Sequence, residues 1–509
     1  LRAIQEKHAD WGHWGTNPEK YSSWTNHSNR LIPIYTFGVD LSAFKGEKSV
    51  YRDEKRLVEL YGRLPEETLN PNAEYLDQTD IYHLQKQAID QGKKYIFLII
   101  FDGMDWQSTR NAAIYQSKKI YDSGRGEGLY FLDYRTEIND YGYMVTSAHN
   151  SGTRFDVNAQ TVSNPGGDTP GGYSAAIGGD APWSKPQSDE YLIGRLRRLP
   201  HCVTDSSSSA TSMTAGIKTF NTAINVAPDG TQVEPLARAL QRDKEWSIGV
   251  VTSVTISHAT PAAAYANNVS RSDYQDLARD MVGLPSVSHR EEALSGVDVL
   301  MGGGWRDDSK DDRSQGDNFI PGNKYLIDDD IKKIDVEHGG KYRVVQRQAG
   351  KCGSVELRHA AERAAKEGTR LFAFYSGTGD GNLPYRTADG SYDPTIGVNS
   401  GERYTRDDLY ENVTLAEMVE SAITVLETNK KGFWMMIESG DVDWANHKNN
   451  IDDSIGAVIS GDMAFRKVIE WIEGNNAWKD SAVILTADHG HYFNLDKPEA
   501  LLGEQQAGQ

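Results

Sequence analysis

Six short runs of nearly unbroken apolar residues punctuate an otherwise polar chain: 94–101, 248–251, 297–301, 371–375, 433–437 and 483–485. Such runs suit strands buried on both faces of a parallel sheet. Between them lie helical patterns such as Leu415, Met418, Val419, Ala422, Val425 and Leu426, opened by a Thr414/Glu417 capping box. The alternation predicts an α/β fold, a doubly wound, mostly parallel central sheet with helices on both faces. A further strand is expected at 31–38, closed by Gly38, with Pro33 pointing to an edge or bulged position. Residues 1–30 are rich in Trp, His and Asn and lack sustained periodicity, and a polar, mostly helical passage reaches about residue 92. Two stretches break the rhythm: 123–195, dense in Gly, Ser, Asn and Pro, and 303–412, charged turns with one strand and one helix. Both are expected to be large loop insertions in a single α/β domain spanning 1–509.

The strand ends carry the chemistry. In doubly wound sheets ligands bind beyond the carboxyl ends of the strands, and three of the predicted strands run into acids there. Asp102 follows 94–101, Glu438 follows 433–437, and Asp488-His489-Gly490-His491 follows 483–485. Asp443 and His447 stand four residues apart, one helical turn, just after Glu438. A single pair at that spacing reads most simply as an exposed ion pair; three strands ending alike do not. Buried like charges at one sheet edge require cations. Histidine with aspartate favours zinc, whereas Glu438 with a hydroxyl and waters favours magnesium. The stretch 204–219 opens on Asp205-Ser206 and continues with small residues at helical spacing. A hydroxyl at a helix N-terminus meets free N–H groups that favour an anion, so Ser206 could attack phosphorus. Taken alone the segment reads as an ordinary N-capped helix, and the rest of the chain turns the reading toward catalysis.

These segments together resemble the alkaline phosphatase family. The match is strong at the motifs within 94–492 and weak between them. The resemblance implies the family's fold and hydrolysis of phosphate monoesters to alcohol and phosphate through a phosphoserine on Ser206, with broad specificity and an alkaline optimum. It implies two zinc ions and one magnesium. Asp443 and His447 match ligands of the first zinc; Asp488, His489 and Ser206 belong to the second, with Asp102 bridging it and magnesium. The segment 258–263 followed by Arg271 resembles the next motif, with Thr260 and Glu438 serving magnesium and Arg271 gripping two phosphate oxygens. His258 and Trp444 stand where many bacterial members carry Asp and Lys, and His491 is a candidate for orienting substrate or a metal-bound carboxylate. Asp105 replaces the usual glycine after Met104, so that turn is expected to differ, and the 123–195 insertion is longer than usual. The family draws its third first-zinc ligand from a His-Thr motif near the C-terminus, before a strand of Val-Pro-Val-Tyr type. No histidine follows His491 here, and His27 with the following 28–38 resembles that motif in order and spacing. The expectation is a circular permutation, with 24–45 as the moved strand segment and His27 as the third ligand; His13 is a weaker candidate. His8, His83, His149, His201, His289, His338 and His359 have no such setting.

Composition narrows the partners. A net charge of −19 argues against a nucleic-acid-binding surface, and it requires any phosphate site to overcome the negative field locally. No run of about 18 apolar residues is present, so no membrane span is expected. A chain opening on Leu1 suits a processed export signal or a trimmed sequence, and a periplasmic or secreted protein is expected. Cys202 and Cys352 form one bridge or remain two thiols. The resemblance leaves room for a homodimer. The alternatives are a phosphodiesterase or other phosphoryl-transfer enzyme of the same superfamily, and a non-catalytic metal- or phosphate-binding homologue.

Overall fold

Ten strands form one mixed sheet in a computed structural model that describes residues 2–21, 27–192, 200–376, 381–393 and 403–503. Residues 24–26 of the proposed moved segment, 193–195 of the first insertion, and 377–380 and 394–402 of the second lie outside the described residues. In chain order the strands are β1 Ile32–Phe37, β2 Leu76–Asp77, β3 Tyr95–Phe101, β4 Asn139–Val145 and β5 Ser247–Thr255. β6 Val299–Gly303, β7 Tyr342–Gln346, β8 Arg370–Phe374, β9 Phe433–Ser439 and β10 Ser481–Thr486 complete the set. Their spatial order is β7-β8-β6-β5-β9-β3-β10-β1-β4-β2. The seven from β7 to β10 run parallel; β1 is antiparallel to both β10 and β4.

The apolar runs became the parallel strands because both faces are covered. One group of helices, α2 Trp106–Ser117, α5 Gly353–Glu367, α6 Leu415–Leu426 and α8 Ile451–Gly474, packs in succession along the sheet. A second group comprises α1 Asp80–Asp90, α3 Ser206–Ala215 and α4 Ala259–Ala263. Both groups lie against the central strands β5, β9 and β3. The capping box at Thr414 and Glu417 forms as the sequence predicts.

Two differences have clear causes. The strand expected at an edge because of Pro33 is interior: β1 is buried throughout, between β10 and β4. Its ladder to β10 begins only at Ile34, so Pro33 needs no N–H on that side, and its carbonyl accepts the Thr486 hydroxyl at 2.8 Å. The stretch 123–195 also holds more than loop, for β4 lies in it, and 303–412 holds β7 in addition to the strand and the helix expected there, β8 and α5. Cys202 and Cys352 are both free thiols, the first buried, with burial pushing its pKa up to about 12. No helix among the described residues is long and apolar enough to cross a membrane.

Candidate active site

At the mouth of α3, Asp205 caps the helix by accepting the Ser208 N–H at 3.0 Å. Its other oxygen accepts the Thr222 N–H at 2.9 Å and Arg271 Nη1 at 3.3 Å. Burial pushes the Asp205 carboxyl up, but Arg271 and the helix donors outweigh it and hold the pKa below its ordinary value. The cap residue thereby ties Arg271 to the first turn of the helix, beside Ser206. Arg271 Nη2 lies 3.3 Å from His258 Nε2.

The three acid-tipped strands β9, β3 and β10 are parallel neighbours, with Ser439 opposite Phe101 and Thr486 opposite Ile100. That register brings Glu438, Asp102 and Asp488 to one end of the sheet. Helix α7, Asp441–His447, follows β9 and carries Asp443 and His447 one turn apart. Residues His27–Ser28 form a two-residue strand against Gly490–His491, which delivers His27 to the same place. Gly103 makes this convergence possible: its φ is +70°, and a Cβ there would stand 2.9 Å from His491 Cδ2 and 3.0 Å from the Asp443 Cα.

The donors sort into three groups. In each, the donor atoms lie within 4.8 Å of one another: His27, Asp443, His447 and His491; Asp102, Asp488 and His489; Asp102, His258 and Glu438. In the first, Asp443 Oδ1 stands 2.6 Å from His491 Nε2, 3.4 Å from His447 Nε2 and 3.6 Å from His27 Nε2. In the second, His489 Nε2 is 3.1 Å from Asp102 Oδ1 and 3.5 Å from Asp488 Oδ2. Ser206 Oγ joins the groups, 3.3 Å from His489 Nε2 and 3.5 Å from Asp102 Oδ1.

Several buried polar atoms facing this cluster have no hydrogen-bond partner among the described residues: Asp102 Oδ2, Asp488 Oδ2, Glu438 Oε1, Thr260 Oγ1 and His258 Nδ1. Uncompensated atoms of this kind are costly in a folded core, and cations relieve the cost. The ionisation pattern agrees. Burial, then repulsion from Asp488, Asp443 and Glu438, raises the Asp102 pKa well above its ordinary value, and burial carries Glu438 up to about 8. Burial keeps the imidazoles neutral, at about 4 for His489 and, with Arg271, about 3 for His258; His491 is also held well below the usual range. Burial opposes protonation of His27, yet the Asp443 hydrogen bond and charge hold its pKa above the ordinary value. For Asp443 the balance reverses: burial pushes up, and His447, His27 and His491 bring it well below the carboxylate range. The neutral imidazoles of His489, His258 and His491 and the crowded acids make a donor set that fits divalent metal ions.

Apart from His13, the candidate residues from the sequence meet at one end of the sheet, at a cavity of about 410 Å³ lined by Ser206, Arg271, His258, Trp444, His27, Asp443, His447 and Lys448. Trp444 packs its ring 5.9 Å from that of His258. His13 lies apart, its Nδ1 2.9 Å from Asp496 Oδ2. Asp105, unexpected after Met104, caps α2 by accepting the Ser108 N–H at 2.9 Å. Two residues escaped the sequence reading. Thr252 donates a short hydrogen bond to Glu438 Oε2 from the paired position on β5, and Gln78 reaches both α3 and Asp488. Only the strand register and the fold reveal either.

An α/β protein with acid-tipped parallel strands, a serine at a helix mouth and imidazoles between them defines a recognisable class, and the comparisons with known proteins say which. The family model described as alkaline phosphatase matches residues 184–507, and the chain belongs to that family. Alkaline phosphatase 3 of Bacillus subtilis is 28% identical over 308 residues, covering 59% of this chain and 53% of the relative. The alkaline phosphatase of Escherichia coli is 28% identical over 335 residues, covering 62% of this chain and 63% of that one. The chain thus spans between half and two-thirds of the length of these relatives. The structure of a cold-active alkaline phosphatase from a Shewanella species superposes with a TM-score of 0.46 at 18% identity, over 78% of this chain and 68% of that one. The family match begins after Asp102 and His27, so those two residues join the site on geometry.

Proposed function

We propose that the protein hydrolyses phosphate monoesters to an alcohol and inorganic phosphate through a phosphoserine on Ser206. The observation that carries this reading is the position of Ser206 Oγ, at the N-terminus of α3 and at the junction of the acid-imidazole groups, 3.3 Å from His489 and 3.5 Å from Asp102. His27, Asp443 and His447 would hold one zinc ion, with His491 beside Asp443. Asp488, His489 and Asp102 would hold a second with Ser206, and Asp102, Glu438 and Thr260 offer the oxygens that magnesium takes. Bound ions would supply the charge that neutralises these acids, acidifies the serine hydroxyl and stabilises a departing alkoxide. His27 and β1 precede the rest of the sheet in sequence, the order that the circular permutation expects.

The chain's own groups account for the rest. The first-turn N–H groups of α3 and the Arg271 guanidinium, which Asp205 holds beside Ser206, would grip the equatorial phosphate oxygens. Ser206 oxygen bonds to phosphorus as the bond to the leaving alcohol breaks, and the alcohol departs with a proton. Water then attacks phosphorus, the serine–phosphorus bond breaks, and Ser206 regains its proton. Specificity is broad because the leaving group faces the open side of the cavity, bordered by Trp444 and Lys448. The optimum is alkaline, and the protein works in the periplasm or outside the cell.

The test is turnover of a chromogenic phosphate monoester with metal content measured on the same sample. The wild type is expected to turn over, and Ser206→Ala to lose at least about a thousandfold in kcat while keeping its metal. A wild type that cleaves a phosphate diester faster than the monoester, or holds zinc without turnover, contradicts the reading.

A further inference from the structure

Gln78 belongs to none of the donor groups, yet it joins two of the elements that build them. It follows β2 directly, and its backbone N–H donates to the Val145 carbonyl at 3.1 Å. Its side chain is wholly buried. Nε2 donates to Ser209 Oγ at 2.7 Å and to the Asp488 carbonyl at 2.7 Å. Ser209 lies one turn beyond Ser206 on α3, and its own hydroxyl donates to the same Asp488 carbonyl at 2.6 Å. The helix that carries the serine and the strand tip that carries Asp488 are therefore stitched together at one carbonyl.

The rest of Asp488 is fixed to match. Its Oδ1 accepts the N–H groups of Gly103 and His489 at 2.9 and 2.8 Å, while Oδ2 has no hydrogen-bond partner among the described residues and lies 3.5 Å from His489 Nε2. The segment around Gln78 holds α3 elsewhere as well. Asp77 pairs with Lys218, just past the helix end, at 3.0 Å with both side chains fully buried, and Gln85 on α1 donates to the Met213 carbonyl at 2.9 Å. Reacting atoms displaced by about 1 Å can lose a hundredfold in rate, so the register between α3 and β10 has direct kinetic weight.

We propose that Gln78 is a positioning residue: through Ser209 and the Asp488 carbonyl it sets the distance between Ser206 Oγ and the Asp488-His489 pair. This inference rests on the phosphatase reading above. It acts on the attack step and leaves the grip on phosphate, which belongs to Arg271 and the helix mouth, unchanged.

The experiment compares wild type, Gln78→Met, which keeps the length and removes the donor, and Ser209→Ala, which removes one hydroxyl and should fold even if the first variant does not. Each is assayed for kcat and KM on a chromogenic phosphate monoester, inhibition by inorganic phosphate, and zinc content. The expected result is a fall in kcat of about 10- to 100-fold for Gln78→Met and about 10-fold for Ser209→Ala, with KM, phosphate inhibition and zinc within about threefold of wild type. Unchanged kcat in an active, folded variant overturns the inference and leaves the phosphatase reading intact. Loss of zinc, or of phosphate affinity in proportion to kcat, also overturns it, because that is what a merely structural residue would do. A metal-loaded wild type without turnover removes the phosphatase reading and this inference with it.

Discussion

Thr252 shows how much of the site depends on residues that carry no chemistry of their own. Its hydroxyl donates to Glu438 Oε2, and burial otherwise pushes that carboxyl up to about 8. Thr252→Val keeps the shape and removes the donor from a buried acid, at a cost of about 1–3 kcal/mol. We expect the variant to need roughly 10- to 100-fold more magnesium for half-maximal activity, measured by magnesium titration of the metal-stripped protein; an unchanged titration contradicts the assignment of Glu438 to that ion. At this scale the sequence was informative where a residue type is itself the signal. Asp443 with His447, Asp488 with His489, and Ser206 behind Asp205 stand in short local patterns, and the structure brings them together. Thr252 and Gln78 were illegible because threonine and glutamine occur everywhere, and their partners lie 186 and 410 residues away in sequence.

The elements around the site are held by close packing of strand tips against helices. Gly461, in the middle of α8, faces the Phe101 ring, and a Cβ there would meet ring carbon Cε1 at 2.2 Å. Phe101 immediately precedes Asp102. Gly461→Val should therefore push on the end of β3, destabilise the fold by about 1–3 kcal/mol in chemical denaturation and lower kcat along with it. Unchanged stability would mean that α8 does not buttress that tip. The strands most legible in sequence were the central ones, since burial on both faces leaves only apolar residues. β4 and β7 went unread for the opposite reason: they lie toward the sheet's outer regions and are only partly buried, so polar residues such as Asn139, Asp140 and Arg343 break the run. β1 was read as a strand, but Pro33 pointed to an edge because sequence does not reveal where the neighbouring ladder starts.

Across the whole molecule, a charge of −19 coexists with buried acids both inside and outside the site. Asp80 is one outside it: burial, reinforced by Asp77, raises its pKa to about 7. The folded state thus holds this proton more tightly than the unfolded chain does. The stabilising contribution is complete below about pH 4 and is lost as pH rises toward and through about 7, an effect of up to roughly 4 kcal/mol. Asp80→Asn keeps an acceptor for the Asp77 N–H, which Asp80 binds at 2.9 Å, and removes the ionisation. Its stability relative to wild type should therefore rise between pH 4 and pH 8 in denaturant unfolding, and a constant difference across that range contradicts the account.

The central claim is that one end of this sheet is a metal centre completed by His27 from the N-terminal side. Metal content by mass spectrometry on wild type and His27→Ala, each assayed on a chromogenic phosphate monoester, tests it most directly. The account predicts two zinc ions per wild-type chain with turnover, and a variant that loses about one zinc and most of its activity. A His27→Ala protein with full zinc and full rate would contradict it.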